Sequence, residues 1–184
     1  MLRDSKGKRP LDIEVPEDQW IEMMQHIRNG IFKKLKSVRV MQSIDKNIAA
    51  GIYVYAVEEF GKLLLLREAP SHGGQRRVKY AEEFVDHKVK TEKAYGYFQN
   101  NNFHVCMILG QGCPGQTSDV DEEKWDNVIV DLAANTEARL SIFYSDFVYD
   151  SNQDPVVESQ PDVEPEMLRR ATEQLEIATK GLPS

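Results

Sequence analysis

The sequence predicts an all-α protein, and two observations support this. Apolar residues recur every three or four positions between residues 20 and 38, and again near the carboxyl end, which is the spacing of one helix face. Between these stretches lies a long segment that is apolar on nearly every side, as is typical of a helix in the middle of a domain. We therefore expect a helical bundle of four or five helices.

The first helix is predicted to start after Pro16. Glu17 and Asp18 follow it, and acidic side chains are favoured at the positive end of a helix dipole. The stretch Ser43-Ile44-Asp45 then offers a cap for the next helix. The residues predicted to form the apolar face of this first helix are Trp20, Ile21, Met24, Ile27, Ile31, Leu35 and Val38.

The segment from Asn47 to Ala69 is predicted to be the central helix, and three charges interrupt it. Glu58 and Lys62 stand four residues apart in the order that favours a helical ion pair, and Glu59 lies beside them. A buried charge costs several kcal/mol unless it is paired. These charges therefore indicate either a functional site or a helix edge that reaches solvent.

A third helix is expected from about Val78 to Phe98, after a loop of proline and glycine residues at 70–74. His87, Lys90 and Thr91 fall on one face of this helix. Its expected core positions are Tyr80, Phe84, Val85, Ala94, Tyr95 and Phe98.

The carboxyl-terminal part of the chain predicts two more helices. One begins near Ser118 and carries Arg139, and the last spans Glu166 to Lys180 after a proline-containing acidic connection. We therefore divide the chain into a flexible basic arm at 1–16, a bundle core at 17–150, and an acidic linker with a final amphipathic helix of the same domain at 151–184.

Composition and motifs exclude several classes of protein. The net charge is −7, and an acidic protein is a poor general binder of nucleic acid, although the short basic stretches 76–79 and 87–90 remain. The two cysteines are too few for a disulfide framework, and neither a CxxC pair nor an HExxH motif is present. No apolar run approaches the roughly 18 residues that cross a bilayer. We expect a cytoplasmic protein with no membrane partner, no metal and no cofactor.

The candidate site residues are polar side chains on helices that otherwise look buried. Arginine and lysine donate to phosphate, and histidine or tyrosine can transfer a proton. Such a set indicates either a buried structural network or a site for an anionic ligand. The candidates are Glu58, Glu59 and Lys62 on the second helix, His87, Lys88 and Lys90 on the third, and Arg139, Tyr144 and Asp146 on the fourth.

Three stretches of the chain together resemble segments of one known family. NIAAGIYVYAVEEFGKLLLLREA (47–69) resembles an alanine-rich helix of that family, with its acidic pair followed by glycine and lysine. EEFVDHKVK (82–90) is similar to the family's Phe-x-x-His-Lys-x-Lys stretch, and RLSIFYSDF (139–147) to its Arg-x-x-x-aromatic-Tyr-x-Asp segment. The family that these stretches resemble is that of the AbiV-type abortive-infection proteins.

The resemblance implies a member of the HEPN superfamily, whose helical bundles include many metal-independent ribonucleases that act as homodimers in phage defence. The usual superfamily signature is an arginine followed, four to six residues later, by a histidine. Arg139 matches the arginine here, but the residue five positions later is Tyr144. Proton transfer in this chain would therefore need His87 or Tyr144.

The resemblance implies a division of roles among the candidates. Arg139 and Lys62 would stabilise negative charge on a phosphate, His87 would move the proton, and Glu58 and Glu59 would orient Lys62 and His87. Lys88, Lys90 and Asp146 complete the expected binding residues. Two alternatives stay open: a non-catalytic interaction module that binds a protein partner or dimerises, and a purely structural bundle.

Overall fold

The computed structural model describes residues 12–79, 83–101, 147–149, 155–157 and 165–182. This part of the chain is mostly helical, as predicted, with two small antiparallel sheets. The fourth predicted helix, with Arg139, Tyr144 and Asp146, lies outside the described residues. The described helices are α1 (Glu17–Met41), α2 (Lys46–Glu68), α3 (His87–Asn100) and α4 (Pro165–Gly181), and the strands are β1 (Ile13–Pro16), β2 (Ser71–His72), β3 (Gln75–Val78), β4 (Phe147–Tyr149) and β5 (Pro155–Val157).

Helix α1 begins directly after Pro16, as predicted, and its apolar stripe faces the core. The prediction was wrong at Ile21, which is 53% exposed. It follows Trp20 by one position, about 100° round the helix, and so leaves the stripe. The buried residues of α1 are Trp20, Met24, Ile27, Ile31, Leu35 and Val38.

Helix α2 is the central element, as its sequence predicts. Asp45 caps it, because the Asp45 carboxylate accepts hydrogen bonds from the backbone N–H of Asn47 at 2.9 Å and of Ile48 at 3.0 Å. The helix packs against α1, α3 and α4, and Phe60 stacks on Phe98 of α3 with ring centroids 5.2 Å apart. No helix in the described ranges is both long and apolar enough to cross a membrane.

A small sheet stands where we expected a flexible arm and the start of the third helix. Strands β2 and β3 form a hairpin whose turn, Gly73-Gly74, has φ values of 60° and 76°, the left-handed region that favours glycine. Strand β1 pairs with β3 in antiparallel register, with Ile13 opposite Val78. Residues 13–16 therefore form a strand where we expected the end of the arm, whose residues 1–11 lie outside the described residues, and Val78 pairs in a strand where we expected the third helix to start.

Helix α3 accordingly begins later than predicted. Asp86 stands before its first residue, and the Asp86 carboxylate accepts from the backbone N–H of Lys88 at 2.8 Å and of Val89 at 3.2 Å. This cap places His87 in the first turn of the helix. Ala94 and Phe98 are buried, as expected.

Helix α4 matches the prediction closely and packs against α1 and α2. Polar contacts tie α4 and its ends to α1: Arg39 pairs with Glu176, the Arg28 guanidinium donates to the Leu182 carbonyl at 2.8 Å, and the Gln42 amide donates to the Pro165 carbonyl at 2.5 Å. The acidic connection before it includes strand β5, which pairs with β4. The residues of α4 on the core are Leu168, Ala171, Thr172, Leu175, Ala178 and Thr179.

Candidate functional site

The candidate site lies where α2 and α3 cross at very close range. A Cβ atom added to Gly61 would stand 1.8 Å from the carbonyl oxygen of Lys90 and 3.0 Å from its Cα. Only glycine allows the two backbones to approach this closely. Glu58 lies about one turn before Gly61, and His87 one turn before Lys90, so the crossing places these charged side chains next to one another.

A cluster of three residues, Glu58, His87 and Lys90, results from the crossing. His87 Nδ1 lies 2.7 Å from Glu58 Oε2, and Lys90 Nζ lies 3.7 Å from the same oxygen. The Lys90 ammonium also donates to the carbonyl of Val85 at 3.2 Å. Glu58 is 4% exposed and Lys90 3%. The interior of the cluster is therefore a buried ion pair.

The third member of the cluster reaches solvent. The His87 side chain is 50% exposed, although it is hydrogen-bonded to the buried carboxylate. When the carboxylate is ionised it only accepts hydrogen bonds, and Nδ1 then carries the proton in this contact. In the neutral ring the other nitrogen, Nε2, is then an acceptor. A carboxylate that orients a histidine in this way is a common arrangement in acid–base catalysis.

Lys62 belongs to a second, neighbouring group on α2. Its ammonium donates to Glu59 Oε1 at 2.8 Å, and Lys34 Nζ of α1 lies 4.0 Å from the same oxygen. The ammonium also lies 5.7 Å from the centroid of the Phe84 ring, just before the start of α3. The i,i+4 spacing suggested Glu58 as the partner of Lys62, but the structure pairs Lys62 with Glu59, three residues before it.

The structure thus brings together Glu58 with His87, and Glu59 with Lys62. Lys88 is exposed on α3 and lies 3.8 Å from Glu92. Lys90 differs from our expectation of a ligand-binding lysine, because its ammonium is buried against Glu58 and the Val85 carbonyl. Burial follows from the α2–α3 crossing, which the spacing of charges in the sequence does not report.

Sequence reasoning missed Lys34. It lies in the short run Lys33-Lys34 on α1, where lysine at a helix surface carries no signal of its own. Only the packing of α1 against α2 shows that it approaches Glu59. Among the described residues, no group of three or more histidine, cysteine, aspartate or glutamate side chains is placed to hold a metal ion.

Comparison of the chain with protein-family models, with curated proteins and with solved structures found no match. The resemblance to the AbiV-type proteins therefore rests on the three sequence stretches alone.

Proposed function

We propose that the protein is an AbiV-like HEPN ribonuclease of antiphage defence, which cuts RNA without a metal ion and uses His87 to move the proton. The observation that supports this most is the 2.7 Å hydrogen bond between His87 Nδ1 and the buried carboxylate of Glu58. A half-exposed imidazole held by a buried carboxylate suits proton transfer to a bound ligand. A purely structural ion pair has no need of an exposed imidazole.

In the proposed reaction the 2′-hydroxyl of RNA attacks the adjacent phosphorus. Nε2 of neutral His87 takes the hydroxyl proton as the O2′–P bond forms, and Glu58 stabilises the imidazolium. The P–O5′ bond breaks, and Tyr144 is our candidate to donate a proton to the departing O5′. The products are a 2′,3′-cyclic phosphate and a free 5′-hydroxyl, and the proton held by His87 returns to Tyr144 through water before the next turnover, so atoms and charge balance.

Negative charge grows on the phosphate oxygens as the bonds change, and positively charged side chains are needed to stabilise it. Lys62 is the proposed donor on α2, since Glu59 holds its ammonium beside Phe84, close to the start of α3. Arg139 is the proposed second donor, by its match to the superfamily arginine, and a guanidinium can meet a phosphate with two parallel hydrogen bonds. Exposed Lys88 would bind a neighbouring phosphate. Lys90 is withdrawn from this role.

The test is cleavage of labelled single-stranded RNA by the purified protein in the presence of a metal chelator. His87→Gln should lower the cleavage rate about 10²–10⁴-fold, the usual contribution of a general base. His72→Gln is the matched control, because His72 is exposed in the β2–β3 hairpin. Wild-type protein that never yields a 2′,3′-cyclic end overturns the proposal and favours the non-catalytic interaction module.

The variant Arg139→Ala also distinguishes a ribonuclease from a non-catalytic interaction module. Loss of a transition-state donor typically costs about 2.7–4 kcal/mol, roughly a hundred- to a thousand-fold in rate. We expect this loss of cleavage with the melting temperature maintained. A fall in melting temperature without an effect on cleavage per folded molecule would contradict the assigned role.

The proposed assembly is a homodimer, because the superfamily to which the resemblance points usually builds its sites across two chains. Analytical ultracentrifugation at micromolar concentration should therefore give twice the mass of the 21.1 kDa chain. A monomer under those conditions would count against both the dimer and a shared site.

A further inference from the structure

We propose that Lys90 is a positioning residue, whose buried ammonium keeps Glu58 ionised and thereby holds His87 in the tautomer that carries its proton on Nδ1. This inference deepens the proposed function and takes its biological meaning from it. It assigns to Lys90 a task that neither the sequence resemblance nor the proposed reaction includes.

The contacts of Lys90 are those of a counter-ion. Its ammonium lies 3.7 Å from Glu58 Oε2, the same oxygen that receives the His87 hydrogen bond. Burial penalises an isolated carboxylate, and a neighbouring buried ammonium offsets that penalty in favour of the ionised form. An exposed lysine at this distance would be screened by water and have far less influence.

The state of Glu58 decides which nitrogen of His87 is available. An ionised Glu58 accepts from Nδ1–H and leaves Nε2 as the acceptor of the neutral ring. A protonated Glu58 would instead donate its O–H to Nδ1, which moves the ring proton to Nε2 and removes the base. The two states differ by one proton on the carboxylate. The positive charge of Lys90 favours the state in which Glu58 is ionised and His87 carries its proton on Nδ1.

Backbone contacts fix both ends of Lys90: its main chain lies against Gly61, and its ammonium is hydrogen-bonded to a carbonyl group. At Gly61 the backbone of α2 lies in close contact with the carbonyl of Lys90. The carbonyl of Val85, before the first turn of α3, accepts a hydrogen bond from the Lys90 ammonium. The lysine side chain therefore folds back toward the helix start, where His87 and Glu58 meet. A side chain so confined acts as a fixed charge.

The experiment measures the His87 tautomer directly by ¹⁵N NMR of protein labelled at histidine nitrogens, at mildly alkaline pH, where imidazole rings are neutral. A His87→Asn spectrum identifies the resonances. The wild-type protein should show a protonated Nδ1 and an unprotonated Nε2. A wild-type ring protonated on Nε2 overturns the proposal outright, and this measurement needs no variant at position 90.

Lys90→Met removes the charge and keeps the length, and it should move most of the His87 population to the Nε2–H tautomer. Lys90→Gln, which keeps a donor for the Val85 carbonyl, should do the same if the methionine variant does not fold. Lys88→Met is the matched control, an exposed lysine on the same helix, and should leave the tautomer unchanged. Unchanged tautomers in folded position-90 variants would overturn the proposal.

The prediction about the His87 tautomer and the prediction about RNA cleavage can be tested independently. If wild type cuts RNA, Lys90→Met should slow cleavage by the factor by which it depletes the Nδ1–H tautomer, about tenfold when about nine rings in ten have shifted, while binding of a non-cleavable RNA stays within about twofold. If the protein proves not to be a ribonuclease, the NMR result still decides whether Lys90 sets the state of His87.

Discussion

Gly61 of α2 and Lys90 of α3 are in backbone contact, and this contact sets the distance between the two helices that carry the candidate site. Glu58 and His87 approach one another on one side of the crossing. The charged cluster therefore depends on a position that bears no side chain.

Gly61→Ala should be strongly destabilising, because its Cβ would overlap the Lys90 carbonyl and the helices would have to separate. Overpacking of this kind typically costs about 1–3 kcal/mol. Gly96→Ala is the matched control, since in the described part of the chain no atom beyond its chain neighbours and its own helix backbone lies within 4 Å of a Cβ built there. That variant should be neutral or stabilising by up to ~1 kcal/mol in urea unfolding. Equal effects of the two substitutions on the free energy of unfolding would contradict the close backbone contact between Gly61 and Lys90.

A second prediction concerns alkaline pH and the buried phenol of Tyr53. Burial, and then the neighbouring Tyr95, raise the pKa of Tyr53 well above 10.0. A folded pKa above the unfolded value gives stability that is complete below about pH 10 and is lost as the pH rises further. Tyr53→Phe should flatten this alkaline loss in thermal melts between about pH 9 and 11.

The same variant should not destabilise the protein at neutral pH. Tyr53 Oη is buried and has no hydrogen-bond partner among the residues that the structure describes. Folding therefore removes this hydroxyl from water without giving it a hydrogen bond in the protein, and phenylalanine avoids that cost. Tyr55→Phe serves as control, because Tyr55 is a partly exposed tyrosine on the same helix. A lower melting temperature for Tyr53→Phe at pH 7 would contradict the prediction.

A third prediction concerns acid pH and the attachment of α4. Hydrogen bonds from Lys180, and then from Arg39, lower the pKa of Glu176 below its usual 4.5. A folded pKa below the unfolded value gives stability that is present above about pH 4.5 and is lost as the pH falls through the folded value. Glu176→Gln should therefore remove part of the acid sensitivity of the melting temperature.

At neutral pH the loss should be modest, about 0.2–1 kcal/mol, since the pair is only partly shielded from water. Glu173→Gln is the matched control: Glu173 pairs with Arg169 within α4 and makes no link to α1 through that contact. Identical acid profiles for the two variants would show that the cross-helix pair does not hold α4.

A fourth prediction concerns the junction of the sheet with α1. The Arg76 guanidinium donates twice to Glu17 Oε1, at 3.1 and 3.0 Å, and lies 5.2 Å from the ring centroid of buried Trp20. Arg76→Lys keeps the charge but loses the planar donors and the stacking, so we expect a loss of about 1 kcal/mol. Arg77→Lys, on the exposed side of the strand, should cost less than half as much in the same urea titration.

The helices were predictable because their signals are local. The apolar stripe from Trp20 to Val38 lies within the helix that it predicts, and the capping residue Asp45 stands directly before the helix that it begins. Strand β3 has only one apolar residue, Val78, and its partner β1 lies far away in sequence, so no local pattern distinguishes it from a polar helix start. Its state is decided by tertiary pairing.

The site was predictable in its residues and less so in its pairings. Charges within an apolar helix single out Glu58, Glu59 and Lys62, and the basic stretch after Phe84 singles out His87. The choice of partner for each charge depends on the crossing at Gly61, which the sequence shows only as a glycine before a lysine. The burial of Lys90 has the same origin.

The sheet that joins β1 to the hairpin also orders the folding of the chain. Asp12 and Arg77 meet although 65 residues separate them, whereas β2 and β3 close through a two-residue turn. Closing the longer loop costs chain entropy before any contact compensates for it, so local contacts form first. We therefore expect strand β1 to pair with β3 only after the β2–β3 hairpin has closed. The contacts between α1 and α4 span still longer stretches, 137 residues for Arg39 with Glu176, so the same reasoning places the docking of α4 after the pairing of β1.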